Sequence, residues 1–183
     1  QWREAAVKFF QANPGGWVTP APKVTLTTAA PANKKGAPVA KKAAAKTATK
    51  TDTKPAAPVA PECRVEADSR IVFLGKAANV ATIHLQPDAG WISAIRVELL
   101  PHEQHQESIV RGGGSNSLSL KLTASLRKQG APKDAALAFR HADANRKEPQ
   151  YRETAEIIGV KDLWRTAEKD AALPHTAVWL LDQ

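Results

Sequence analysis

The residues best suited to hold a ligand surround Trp164. Asp162 lies two positions before it and Arg165 directly follows it. An indole face can pack against the C–H side of a sugar ring, and neighbouring charged groups can hydrogen-bond the hydroxyls. Trp164 lies outside any clear alternating strand, so it has fewer structural reasons to be buried than Trp91 or Trp179. We therefore expect Trp164, Asp162 and Arg165 to face a ligand. The alternative is that Trp164 folds back as a lid on a core.

A glycine-rich loop provides two further candidates. Its sequence, Arg-Gly-Gly-Gly-Ser-Asn over residues 111–116, lacks the Gly-Lys-Ser/Thr of a phosphate-binding loop. It also precedes a predicted strand, where a phosphate-binding loop would open a helix. Glycines let a chain turn sharply. Because such a turn allows its neighbours to approach a ligand closely, Arg111 and Asn116 are second candidates for ligand contacts.

No set of residues predicts catalysis or a metal centre. His102 and His105 are three positions apart, whereas the zinc-protease motif places two histidines four apart on a helix. The single cysteine, Cys63, excludes a Cys-x-x-Cys-His haem c attachment within this chain. No Gly-x-Ser-x-Gly elbow is present. We predict a non-enzymatic chain with no catalytic residue, no metal ligand and no cofactor of its own.

The basic charge is concentrated in one low-complexity segment. The net charge is +8, and residues 31–61 contribute +6 of it through seven lysines and one acid, Asp52. The segment is built mainly from Ala, Lys, Pro and Thr, so it cannot bury enough apolar surface to offset its ordering entropy. We predict a disordered linker, with polyanion binding as an alternative role. Nucleic acid is not the expected partner, because the rest of the chain is nearly balanced. The seven residues are Lys34, Lys35, Lys41, Lys42, Lys46, Lys50 and Lys54.

Alternating apolar residues predict strands along much of the remaining chain. Over residues 118–126 every even position is apolar and every odd position is polar, a period of two that excludes an amphipathic helix. Ile95, Val97 and Leu99 alternate in the same way. Strands with one apolar face need a second apolar layer. The sequence therefore predicts an all-β fold, an antiparallel β-sandwich.

These patterns divide the chain into four predicted segments. Residues 1–16 end a preceding helical region, and residues 17–30 form the first strand of the sandwich. Residues 31–61 are the disordered linker. Residues 62–183 form the β-sandwich, which we expect to be truncated at its C-terminus. No apolar run approaches the roughly 18 residues that a membrane span requires, so no membrane span is predicted.

Six motifs follow one another along the chain in an order that resembles a known family. The most specific is Ile-Ser-Ala-Ile-Arg-Val-Glu-Leu-Leu-Pro over residues 92–101. The chain resembles large exported planctomycete proteins that combine a planctomycete cytochrome c domain with two large domains of unknown function. Members of that family have Ile-Thr-Ala-(Ile/Leu)-Arg-(Leu/Val)-Glu-x-Leu-Pro at this place. The other matching segments are 16–20, 111–116, 139–144, 163–165 and 175–179.

The resemblance implies a fold, a location and a role. The fold is an inserted β-sandwich of galactose-binding-like or jelly-roll type. The location is the periplasm or cell surface, and a haem c belongs elsewhere in the parent protein. The role is that of a non-catalytic accessory module, which binds a polysaccharide or a neighbouring domain of the same chain. Two alternatives stay open, a purely structural insert and polyanion binding through the lysines.

The alternation over residues 118–126 predicts which face of this segment is buried. Leu120→Ala should lower the free energy of unfolding by roughly 2–5 kcal/mol, as large-to-small core substitutions do. Lys121→Ala should change it by under about 0.5 kcal/mol, as at plain surface sites. Urea unfolding of both variants checks this. Equal losses would mean that the register is wrong, since a shift of one residue exchanges the two faces.

Overall fold

The computed structural model describes residues 2–27, 61–75, 80–111 and 117–182. In these residues the chain consists of short antiparallel strands and one short α-helix, so the all-β prediction is confirmed. The strands form several small sheets. The predicted disordered linker, residues 31–61, lies outside the described residues except for Pro61, which begins a strand.

The chain divides into two compact units, Gln1–Gln86 and Pro87–Gln183. This boundary differs from the predicted sandwich over 62–183, because the strands between residues 61 and 84 belong to the first unit. Strand pairing explains the difference. The N-terminal strand Lys23–Thr27 pairs with Val80–His84, which ties the latter to the segment before the linker.

The first unit begins with the helix predicted at the start of the chain, α1 (Trp2–Ala12). The helix ends at Ala12, and the backbone N–H of the next residue, Asn13, donates to the carbonyl oxygen of Phe9 at 2.7 Å. Gly16 follows with φ +76°, in the left-handed region that glycine adopts without steric cost. No helix of the described residues is long and apolar enough to cross a membrane.

Four strands complete the described part of this unit. Val24 and Leu26 are partly buried, whereas Lys23, Thr25 and Thr27 are exposed, as the alternation predicts. A hairpin turns at Asp68-Ser69, where Ser69 has φ +68°. Among the described residues of this unit, Val72 is the buried hydrophobic residue, 4% exposed. The strands are β1 (Lys23–Thr27), β2 (Pro61–Val65), β3 (Ile71–Gly75) and β4 (Val80–His84).

Strand β4 has no buried residue. Ala81, Ile83 and Leu85 alternate with polar residues, a pattern typical of a strand with one face on a core, yet every residue of β4 is exposed. Ile83 is 45% exposed, and Leu85 just beyond the strand is 51% exposed. A period of two identifies a strand, but it does not tell whether a second layer covers that strand.

The second unit is organised around its last strand. β13 (His175–Leu181) lies between β5 (Ala94–Leu99) and β9 (Phe139–Ala144) in a three-stranded antiparallel sheet. Its side chains alternate, so that His175, Ala177 and Trp179 are buried. The strands are β5 (Ala94–Leu99), β6 (Ser119–Leu120), β7 (Ala124–Leu126), β8 (Ala135–Leu137), β9 (Phe139–Ala144), β10 (Tyr151–Arg152), β11 (Ala155–Glu156), β12 (Trp164–Arg165) and β13 (His175–Leu181).

The segment 118–126 keeps its predicted faces but not its predicted continuity. Its even positions are partly buried, and its odd positions from 119 to 125 are exposed, so the predicted alternation is confirmed. The segment is interrupted at residues 121–123, because its two ends pair with different partners. β6 pairs with β12, and β7 pairs with β8.

Two tryptophans and three smaller side chains form the core of the second unit. Trp164 and Trp179 are both fully buried, with their ring centroids 5.9 Å apart in an edge-to-face arrangement. Ala142, Val160 and Ala177 complete the buried cluster. Edge-to-face contact is a favoured geometry for aromatic rings, since it brings a positive ring edge to a negative face.

A short polar loop after β9 accepts a hydrogen bond from the indole of Trp164. The Nε1–H of Trp164 donates to the carbonyl oxygen of Arg146 at 2.9 Å. The same loop is fixed to β13, because the N–H of Asn145 donates to the carbonyl oxygen of Thr176 at 2.9 Å. Lys147 hydrogen-bonds to Asp143 at 2.5 Å and holds the pKa of that carboxyl below its usual value.

The burial of Trp164 predicts how two tryptophan substitutions differ. Trp164→Phe should lower the free energy of unfolding by roughly 2–4 kcal/mol, because it removes the donor to Arg146 and leaves a cavity. Trp91→Phe is the matched control, since Trp91 is 98% exposed. It should change stability by under about 0.5 kcal/mol. Chemical unfolding of the full chain measures both, and equal losses would contradict the core described above.

Candidate functional site

The second unit has a groove between the β10–β11 hairpin and the segment that follows it. Its volume is about 260 Å³. The lining contains apolar, basic and acidic side chains together. The residues are Gln150, Arg152, Ile157, Ile158, Gly159, Val160, Lys161, Asp162 and Leu163.

Gly159 fixes the segment against the core. It has φ +83°, and a Cβ added there would lie 2.3 Å from the carbonyl oxygen of Ala142. That distance is far below contact distance, so a larger residue would push the segment off β9. The same carbonyl oxygen accepts a hydrogen bond from the N–H of Val160 at 2.9 Å. Only glycine provides both the left-handed conformation and the close approach.

Hydrogen bonds also hold the backbone on the N-terminal side of Gly159. The N–H of Ile157 donates to the carbonyl oxygen of Gln150 at 2.8 Å. The side-chain amide of Gln150 donates in turn to the carbonyl oxygen of Leu163 at 3.0 Å. Gln150 therefore joins the two walls of the groove.

Ile158 lies between Ile157 and Val160, whose backbone N–H groups are both hydrogen-bonded, and 85% of its surface is exposed. Its neighbour Ile157 is 37% exposed. Single exposed hydrophobic residues are common on protein surfaces and need no explanation. Here, however, the backbone on each side is hydrogen-bonded to the rest of the unit, so the side chain is presented in a fixed place.

The charged side chains of the groove give it a net positive character. Arg152 and Lys161 are cationic, Asp162 is anionic, and all three are exposed. An apolar side chain beside two cations suits a partner segment that has an apolar residue next to a carboxylate. A charged lining also suits a sugar, whose hydroxyls hydrogen-bond to such groups.

The structure separates the three residues that the sequence grouped around Trp164. Asp162 lines the groove. Trp164 is fully buried, so the expectation that it is exposed to a ligand is wrong. The reason is that Trp164 opens β12 and pairs with Leu120, which turns its ring into the core. Arg165 is exposed outside the groove lining, and its Nε lies 3.9 Å from a carboxylate oxygen of Glu148.

The remaining predicted residues lie at or beyond the limits of the described chain. Arg111 is partly buried, directly before residues 112–116. Asn116 lies outside the described residues, and so do Lys34, Lys35, Lys41, Lys42, Lys46, Lys50 and Lys54. Ligand contacts of Arg111 and Asn116 and polyanion binding by the lysines therefore stay predictions.

The two histidines near residue 102 adopt a local turn. The Nδ1 of His102 accepts a hydrogen bond from the backbone N–H of Gln104 at 3.1 Å, which caps the short 3₁₀ turn Glu103–His105. The rings of His102 and His105 are 5.8 Å apart. Across the described ranges, no group of three or more His, Cys, Asp or Glu residues is placed to hold a metal ion.

The sequence does not predict most of the groove, because its residues follow no alternating pattern or motif. Only Ala155–Glu156 is a strand, and it pairs back to β10. Gly159 was the available signal, since an isolated glycine after two isoleucines marks a break or a close backbone approach. Arg152, Ile158 and Lys161 carry no pattern that would have singled them out.

Comparison with known proteins finds no relative: no family model, no curated protein and no solved structure matches the chain. The resemblance to exported planctomycete proteins therefore stays a prediction from the motifs.

Two glycines with the same backbone conformation test whether Gly159 holds the groove. Gly159→Ala and Gly130→Ala both place a Cβ at a positive φ, +83° and +80°. That conformation alone should cost about 1–2 kcal/mol. Gly130 has nothing within 4 Å of its added Cβ, whereas Gly159 meets the Ala142 carbonyl. Gly159→Ala should lose about 1–3 kcal/mol more, as overpacked sites do. Thermal or urea unfolding would show this, and equal losses would mean that the segment is not held against β9.

Proposed function

We propose that this chain is a non-catalytic binding module of a larger exported protein, and that its ligand is a neighbouring protein domain. The groove beside Ile158 is the proposed contact surface. The partner segment carries an apolar side chain, which covers Ile158, and a carboxylate, which meets Arg152 and Lys161.

The fixed presentation of Ile158 carries this proposal. An apolar side chain that is 85% exposed loses favourable burial. A mobile loop could fold it inward, but the hydrogen bonds of Ile157 and Val160 fix the backbone on both sides. A binding surface gains affinity when its contact residues are already ordered, because less conformational entropy is lost on association.

A polysaccharide is the second candidate. Arg152, Lys161 and Asp162 could hydrogen-bond sugar hydroxyls within the groove. The burial of Trp164 removes the aromatic platform on which this idea depended. Tyr151 is 66% exposed but does not line the groove, since it precedes Arg152 in a strand and successive side chains point to opposite faces. A protein partner therefore fits the lining better.

The finer fold and the location belong to the same proposal. A sandwich of galactose-binding-like or jelly-roll type and export to the periplasm or cell surface are supported by the motifs, chiefly that of residues 92–101. A purely structural insert is the outcome if no ligand binds.

The probes for this proposal are short synthetic peptides that place Leu beside Asp, and a panel of polysaccharides. Methyl and amide NMR shifts of the full chain are followed during each titration. The peptides should shift the signals of Ile158 and its groove neighbours. Ile158→Ser should weaken the peptide's binding roughly tenfold or more, because the buried methyl groups are lost. Ile92→Ser is the matched control, since Ile92 is 38% exposed outside the groove, and should leave binding unchanged.

Two results would contradict the proposal. Shifts caused by a polysaccharide and not by the peptides would make the module a carbohydrate binder. The absence of shifts with either probe would favour the structural insert.

A further inference from the structure

The helix α1 of the first unit has large apolar side chains that are exposed. No residue of α1 is buried, and within the described residues no strand packs extensively against it. Trp2 is 84% exposed, and Phe10 is 57% exposed. Aromatic rings in contact with water lack the favourable free energy of burial. The helix therefore has a surface that a partner can cover.

The helical period gathers the aromatic residues on one side of α1. With about 100° per residue, Trp2, Ala6, Phe9 and Phe10 fall within roughly 100° of one another around the helix axis. The rings of Phe9 and Phe10 contact each other edge to face, with their centroids 5.5 Å apart. Val7 lies roughly 140° from Trp2 and is outside this group. We call Trp2, Ala6, Phe9 and Phe10 the aromatic face of α1.

The charged residues of α1 are placed differently according to their sign. Arg3 lies roughly 100° from Trp2 in one direction, and Lys8 lies roughly 120° from Trp2 in the other. Glu4 lies roughly 160° from Trp2, on the opposite side of the helix. Long basic side chains can lay their stems along an apolar surface and extend their charges into a polar layer. The two cations therefore border the aromatic face, and the acid is turned away from it.

This arrangement is typical of a helix that lies on a bilayer. Such helices have Trp and Phe on one face, Lys or Arg on the polar side and modest overall hydrophobicity. Tryptophan also favours the boundary between lipid headgroups and acyl chains. The helix has 11 residues and is about 16 Å long, whereas the hydrocarbon core of a bilayer is about 30 Å thick. It can therefore lie on the surface but cannot cross.

We propose that α1 binds the surface of a bilayer that contains anionic lipids. The helix lies in the plane of the membrane, with its aromatic face where headgroups meet acyl chains. Arg3 and Lys8 contact lipid phosphates at the two margins of this face, and Glu4 faces water. This inference concerns the first unit and does not depend on the groove beside Ile158.

The charge of the first unit favours anionic lipids as the partner. Residues 1–86 contain thirteen Lys and Arg residues and five Asp and Glu residues, a net charge of +8. Residues 87–183 contain thirteen of each. The unit that contains α1 therefore carries the whole net charge of the chain. Attraction to an anionic surface adds to the burial of apolar side chains in it. The same charge opposes a second copy at the aromatic face, because two first units repel each other.

Co-sedimentation of the full chain with lipid vesicles tests this binding. Vesicles of equal parts phosphatidylcholine and phosphatidylglycerol should bind the wild type. Vesicles of phosphatidylcholine alone should bind it roughly tenfold or more weakly, because the negative surface charge is absent. Trp2→Ser should weaken binding to the mixed vesicles roughly tenfold or more, since the largest ring of the aromatic face is lost. Added salt should also weaken this binding.

A second variant tests the charged margin and keeps the helix. Arg3→Glu reverses one charge beside the aromatic face, and an acid near the N-terminus of a helix stabilises that helix. The variant should bind the mixed vesicles roughly tenfold more weakly. The NMR signal of the Asn13 amide, which donates to the carbonyl oxygen of Phe9, checks that the helix is kept.

Two matched substitutions separate the aromatic face from other exposed apolar residues. Val7→Ser removes a side chain that is 50% exposed on α1 outside the aromatic face. Trp91→Ser removes a tryptophan that is 98% exposed in the second unit. Both variants should bind the mixed vesicles nearly as the wild type does.

Four results would each overturn the proposal. They are no binding to the mixed vesicles, equal binding to both kinds of vesicle, an Arg3→Glu variant that keeps the helix and binds as the wild type does, and a loss in Val7→Ser or Trp91→Ser as large as in Trp2→Ser. If the wild type bound no vesicle and sedimented as a dimer that Trp2→Ser dissociates, the aromatic face would belong to an interface between two copies.

Discussion

The second unit depends on the way two large indoles and three small residues share one core. Trp179 of β13 lies opposite Ala142 of β9, and Ala177 lies opposite Ala144. The small side chains leave room for both Trp179 and Trp164 at a centroid distance of 5.9 Å. Since interiors are packed as densely as organic crystals, a larger residue at these positions would displace an indole. The tryptophan pair therefore ties β12 to the central sheet.

The same packing shapes the groove that we propose as a contact surface. Because Trp164 is buried in the core, its two neighbours face different surroundings. Asp162 lines the groove, whereas Arg165 lies outside the lining of the groove. Gly159 brings the following backbone onto the Ala142 carbonyl. Ile158 is the side chain left outside by this arrangement. The proposed contact surface is thus a direct result of the core, and not a separate loop added to it.

Much of the local structure was predictable from the alternation of apolar residues. The partly buried side chains of Ile95, Val97 and Leu99 and those at the even positions of 118–126 follow directly from a period of two. The same pattern could not give the environment of β4, because alternation does not report whether another layer is present. Nor could alternation predict that Trp164 is buried, because its strand has only two residues and therefore no period. The groove depends on contacts between segments far apart in sequence, such as that between Gly159 and Ala142.

The proposed contact surface requires that the core hold the backbone around Ile158 rigidly. Native-state hydrogen exchange of the amides of Ile157 and Val160 tests this, because each donates a hydrogen bond on one side of Ile158. If the segment is fixed, both amides should be protected, and Val160 should exchange nearly as slowly as the central residues of β13. Exchange of both amides at the rate of an unstructured peptide would contradict a rigid segment, since Ile158 would then be a mobile side chain with no fixed surface to present.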